Sequence, residues 1–150
     1  MFENTKSTTK IEKQYDVSFL GWLKDQRQGY WKELKFSNFN DKYSFEHTKI
    51  VAQSKINLGF TTNNEGTSDR TYKILAAGGF LLTEPWKYME NDWDVGKDFV
   101  CFSSISDLKD KIGYYLKNQK ERHEIAEQGR KKVQRFSTDN WAKNIVKLII

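Results

Sequence analysis

The stretch TTNNEGTSDR at 61–70 gathers residue types that suit an anion. Gly66 lets a backbone approach closely, Thr67 and Ser68 carry hydroxyls, and Arg70 carries a two-pronged cation. Residues 61–69 are polar apart from the glycine, and they lead into a segment whose Tyr72, Ile74, Leu75 and Ala76 form an apolar helical face. A helix starting there offers unpaired N–H groups and about half a positive charge, which favour a phosphate. Lys24 and Arg27, after the first strand-like segment, can reach the same crevice. Spacing alone admits a second reading with equal weight, in which Ser68 or Asp69 caps the helix and Arg70 is a surface residue.

Several other chemistries lack their residues. The chain has no Walker lysine motif, no G-x-G-x-x-G after its first strand, and no nucleophile elbow. Cys101 is the only cysteine, so an intrachain disulfide and a cysteine-based metal cluster are both out of reach. Between Val100 and Phe102 it reads as a buried, unreactive thiol. His47 and His123 each stand alone on expected helices and read as neither ligands nor bases.

The net charge of +5 favours anionic ligands weakly, and the basic residues are spread out. Their densest cluster, GRKKVQR at 129–135, shares a helix with Ala126, Gly129, Val133 and Phe136. It reads as a solvated helix face, so nucleic acid is not the expected partner; a nucleic-acid domain would show steeply salt-dependent affinity instead. No apolar run approaches the ~20 residues of a spanning helix, and the N-terminus lacks the apolar core of a signal peptide. A cytoplasmic location is the expectation.

The elements that must position these residues alternate. YDVSFLG (15–21), KINLGF (55–60), FLL (80–82) and FVCF (99–102) have strand character. Helices are expected over 25–36, 45–53 and 70–77, and three more close the chain at 105–118, 119–135 and from Ser137 or Thr138 onward. Ser104 and Asp107 form a capping-box start for the first of these. KFSNF can hide a short strand, but the interval from Gly21 to Ser54 is short, and the loss of one strand is expected there. The pattern implies an α/β, doubly wound, Rossmann-like parallel sheet over 15–150, after a polar tail or linker remnant at 1–14. Ligands of such sheets bind beyond the strands' carboxyl ends, which points to the loops after Gly21, from Thr61 to Asp69, and after Thr83.

DVSFLG with Arg27, SKINLGF (54–60), EGTSDRTYKILAAGGFLLTE (65–84), the 95–122 segment and IAEQGRKKVQRFST (125–138) carry a family resemblance. In this order, over most of the chain, they resemble the C-terminal, donor-binding half of GT-B glycosyltransferases. The chain is most similar to the group-1-like domain that also occurs in CgeB-type spore maturation proteins. The resemblance implies transfer of a glycosyl unit from a nucleotide-sugar, without a metal or other cofactor. It implies Glu65 as the catalytic residue facing the transferred sugar, and Gly21, Arg27, Gly66, Ser68, Arg70, Thr71 and Lys73 as the donor-binding set.

Two departures follow from the same comparison. Many retaining members carry a second glutamate at the position of Lys73, where it accepts hydrogen bonds from ribose hydroxyls; a lysine only donates. The acceptor-binding N-terminal half of a GT-B enzyme has no room in 150 residues. A separately encoded half is therefore an expected partner, and a non-catalytic binding module derived from a glycosyltransferase is the alternative.

Overall fold

The computed structural model describes residues 11–40, 42, 44–61 and 65–149. Its strands are β1 (Tyr15–Leu20), β2 (Ser37–Phe39), β3 (Ser54–Gly59), β4 (Leu81–Thr83) and β5 (Val100–Cys101). They form one five-stranded sheet in the order β2-β1-β3-β4-β5, and every pairing is parallel. The helices are α1 (Gln26–Leu34), α2 (Ser44–Gln53), α3 (Asp69–Ala76), α4 (Ile105–Lys117), α5 (Gln119–Val133) and α6 (Thr138–Ile149). This is the expected Rossmann-like α/β sheet, closed by three helices.

The strand between Gly21 and Ser54 is present after all. β2 is only three residues long and pairs Ser37, Asn38 and Phe39 with Ser18, Phe19 and Leu20. A minimal edge strand lets a short interval hold a complete helix–strand–helix run. Residues 1–10 of the expected tail lie outside the described residues; over 11–14, Gln14 N–H donates to the Gln53 carbonyl, and Lys13 Nζ donates to those of Ala52 and Ser54.

Alternation along the strands sends successive residues to opposite faces of the sheet. Phe19, Ile56, Leu58, Leu82 and Val100 join a core with Leu108 and Tyr115 of α4 and the half-buried Tyr30, Trp31 and Leu34 of α1. Leu20 and Leu81 join the other core, with Ile50 and Val51 of α2 and Ile74 and Leu75 of α3. Thr71 completes the buried face of α3, whereas Ala76, expected there, is exposed. Gly78 turns the chain from α3 into β4 at φ +76°, a conformation that glycine adopts without steric cost. Gly79 then packs against α2, where a Cβ would sit 2.6 Å from Val51 Cγ1. That is how a helix meets a buried strand with almost no connector.

The capping expectation at α4 holds with a shift. Ser104 Oγ accepts from Asp107 N–H at 3.1 Å, while the Asp107 carboxylate accepts from Ser103 N–H at 2.9 Å, one residue further out than a capping box requires.

The sheet order decides where a ligand can sit. From β1 the chain moves outward to the β2 edge, and from β3 it moves the opposite way, to β4. The β1 and β3 ends are thus the topological switch point, where diverging connections leave a crevice. The residues there are Leu20, Gly21, Phe60 and Thr61.

Candidate functional site

The crevice rests on Phe19, a fully buried ring at the end of β1. Two guanidinium groups converge on it, Arg70 of α3 at 5.3 Å and Arg27 of α1 at 5.8 Å from the ring centroid. Cation–π attraction offsets part of the cost of bringing two like charges together. Among the described residues neither arginine forms an ion pair with a carboxylate. Arg27 Nη1 donates weakly to the Trp22 carbonyl at 3.4 Å. Burial, and then the charge of Arg27, lower the pKa of Arg70, with Asp69 acting the other way. The guanidinium keeps its proton at any working pH, so the pair is a site of positive charge with no ion-paired carboxylate, although Asp69 lines the same cavity.

Gly21 makes this packing possible. It has φ +153°, and a Cβ there would lie 2.9 Å from the Phe19 ring and 3.0 Å from both Cζ and Nη1 of Arg70. The β1–α1 loop is fixed from the β2 side as well: Gly21 N–H donates to the Phe39 carbonyl, and Asn38 Nδ2 donates to those of Phe19 and Gly21. The loop ends on Asp25, whose φ of 52° and ψ of −132° are costly for a residue with a Cβ, and whose side chain does not cap α1.

A cavity of about 190 Å³ opens at this point, and of the expected site residues Gly21, Arg70 and Lys73 line it. Lys73 Nζ pairs with Asp69 one turn back at 2.7 Å, on the exposed side of α3. That pairing holds the Asp69 pKa below its ordinary value. Ser68 occupies the N-cap position in extended conformation, but its hydroxyl makes no capping bond. Thr71 is buried, and its hydroxyl is bonded to that of Thr67 at 2.5 Å, which ties the loop to the helix. Glu65 and Gly66 are exposed on the loop, and a Cβ on Gly66 would meet nothing within 4 Å. Larger grooves of about 500 and 470 Å³ flank the outer face of α3, but neither is lined by an arginine.

The structure brings further residues to the crevice. His47 does not stand apart: it lines the same cavity, together with Lys42 of the α2 approach. Its side chain is buried and its Nε2 has no hydrogen-bond partner. Burial first, then the charges of Lys73 and Arg70, lower its pKa, against an opposing effect of Asp69. No local motif marks it, because the charges that act on it, Asp69, Arg70 and Lys73, belong to a different helix.

Glu84 follows β4 and is buried at the same end of the sheet. Its carboxylate accepts from Thr61 N–H at 2.9 Å and from Gln26 Nε2 at 3.5 Å, so it joins the exits of β3 and β4 to the start of α1. Tyr30 lies close enough that, after burial, Glu84 raises the tyrosine's pKa. The sequence signal was a charged residue between an apolar strand and Pro85, visible only as a polar exit.

His123 is exposed on α5, and Cys101 is a packed thiol whose pKa burial pushes up to about 12. The basic cluster at 129–135 is largely a solvated face, as expected: Lys131 and Arg135 are exposed and Arg130 pairs with Glu127 at the surface, while Lys132 is drawn in to both Asp94 and Asp98. Among the described residues no group of three or more His, Cys, Asp or Glu could hold a metal ion, and no helix is long and apolar enough to cross a membrane.

Two solved structures share this arrangement of elements. One is TarM, with a TM-score of 0.62 at 18% identity over 89% of this chain. The other is a mutant of S. aureus TarM in complex with fondaparinux, alpha-GlcNAc-glycerol and UDP, with a TM-score of 0.62 at 17% identity over 89% of this chain. The chain spans 28% of the length of each, and at such identity the likeness is one of fold. No curated protein sequence matches. The model of a family described as glycosyl transferase-like matches residues 6–147, nearly the whole chain, and the chain therefore belongs to the glycosyl transferase-like family.

Proposed function

We propose that this chain is the C-terminal, donor-binding half of a GT-B glycosyltransferase, similar to the group-1-like domain of CgeB-type proteins, and that its crevice holds the diphosphate of a nucleotide-sugar. One observation carries the reading: Arg27 and Arg70 meet over Phe19 at the switch point without a carboxylate partner. Two cations without an ion-paired carboxylate, beside the N-terminus of α3, fit an anion that carries more than one charge.

In this reading Arg70 contacts the diphosphate directly. Gly21 leaves room for the guanidinium, and the free Ser68 hydroxyl and the backbone at Gly66 and Arg70 complete the anion pocket. Thr71 holds the loop to the helix, and Lys73 adds charge at the rim. Glu65, on the loop above, faces the transferred sugar. Neutralisation of the diphosphate by arginine and helix dipole makes a metal unnecessary. Transfer then needs an acceptor-binding half, so this 150-residue polypeptide alone is expected to bind donor and transfer little.

Lys73 supports a second reading. A lysine committed to Asp69 cannot accept from a ribose hydroxyl, which suits a module that binds a nucleotide-sugar without turning it over. Thermal shifts with UDP-, GDP- and ADP-sugars, followed by a transfer assay, test both. Stabilisation by one nucleotide series supports the donor site, and turnover when an acceptor half is supplied separates enzyme from module. No shift with any nucleotide-sugar at millimolar concentration contradicts both readings.

A further inference from the structure

The loop that carries Gly21 also carries Trp22, which is 52% exposed and lines the same 190 Å³ cavity as Arg70, Lys42 and Lys73. A large aromatic left half in water at the mouth of a cationic cavity loses burial that the fold could have gained. Trp86 and Trp93, by contrast, are packed in the core, and Trp31 of α1 is half-buried against it.

Trp22 is also held. Its carbonyl accepts from Lys24 N–H at 3.1 Å and from Arg27 Nη1 at 3.4 Å, and Gly21 before it is fixed to β2 at 2.9 Å. After it the chain passes through the strained Asp25 into α1. The surrounding backbone thus presents the indole from a short, pinned loop, with the ordering cost met at folding and not at binding.

We propose that Trp22 is the stacking platform for the base of the bound nucleotide, and the residue by which the crevice prefers a nucleotide to a bare diphosphate. The proposal rests on the donor-site reading above. The cations at Arg70 and Lys73 attract phosphate of any origin, and cannot distinguish UDP from pyrophosphate. The indole beside them supplies the missing discrimination, because every base has a π-face and stacking tolerates its identity.

The test titrates UDP and pyrophosphate into the folded chain and into Trp22→Ala and Trp22→Phe, followed by calorimetry and by tryptophan fluorescence. Wild-type protein is expected to bind UDP more tightly than pyrophosphate. Trp22→Ala should weaken UDP by about tenfold to a hundredfold and leave pyrophosphate unchanged. Trp22→Phe should keep most of the UDP affinity and lose most of the fluorescence change. Equal UDP affinity in wild type and Trp22→Ala overturns the proposal, as does wild-type binding of pyrophosphate as tightly as UDP; either leaves the anion site standing. Failure of wild type to bind UDP and pyrophosphate alike overturns the donor-site reading, and this inference with it.

Discussion

The crevice has two walls, and they are built differently. The α3 wall is anchored: Thr71, Ile74 and Leu75 are buried, and Arg70 lies against Phe19 and the backbone of Gly21. The α1 wall buries no residue completely, starts from a strained, uncapped Asp25, and carries its arginine further from the ring. An arginine on a fixed helix is oriented before the ligand arrives, whereas one on a loosely held helix must be ordered by it. On the donor-site proposal, the difference leads us to expect the main anion contact from Arg70 and a supporting one from Arg27.

Breaking the α3 wall should cost most. Arg70→Ala is expected to weaken nucleotide-diphosphate binding by about 1.5–3 kcal/mol, the range for a hydrogen bond to a charged group, with little change in unfolding temperature. Arg27→Ala should cost under about 1 kcal/mol. Calorimetric titration of both variants decides the ranking; equal losses would mean that the walls act as one.

Gly21→Ala attacks the seam between the walls. The new Cβ enters the space of Arg70 and Phe19 at an unfavourable φ, so stability should fall by about 1–3 kcal/mol by denaturant unfolding. Nucleotide affinity should fall with it, because the guanidinium is displaced. Unchanged affinity in the folded variant would separate Gly21 from Arg70.

His47 gives the α3 wall a pH dependence. Its pKa is lowered in the folded protein, so the unfolded chain takes up a proton first as pH falls below about 6.5. Stability is therefore full above that pH and declines below it, until the folded form is protonated too. His47→Gln should flatten this slope, as read from unfolding midpoints across the range. An anion bound beside Arg70 and Lys73 should reduce the slope in wild type, since it offsets the two charges that, after burial, lower the imidazole's pKa.

The smallest effect is expected at the rim. Lys73→Glu replaces a surface ion pair with two carboxylates one turn apart, a change of about 0.5 kcal/mol in stability. It should weaken ribonucleotide and 2′-deoxyribonucleotide donors alike, because it removes a cation near the diphosphate. Tighter binding of ribonucleotides alone would instead identify position 73 as the ribose contact.

The sequence made the α3 wall readable and the α1 wall obscure. Polar loop, cap and apolar face lie consecutively from Thr61 to Leu75, so local rules placed the crevice and Arg70 at once. β2 was harder to see because three half-buried residues carry almost no periodicity, and its pairing with β1 is a tertiary fact. Residue type alone puts Ala76 on the buried face, although the packing of α3 against the sheet turns Thr71 inward instead. Trp22 and Glu84 follow Gly21 and Thr83 in loops that the strand pattern directs to the crevice, though no motif marks either, whereas His47 reaches it from α2 through the fold alone. Burial of a histidine without a partner has no sequence signature at all.

The central claim is that the crevice recognises the phosphates through Arg70. It is tested most directly by titrating UDP and uridine into wild type and Arg70→Ala. The account predicts that wild type binds UDP at least about tenfold more tightly than uridine, as one charge-assisted hydrogen bond requires, and that the variant loses most of this difference. Equal affinity for UDP and uridine in wild type, or an undiminished difference in Arg70→Ala, would contradict it.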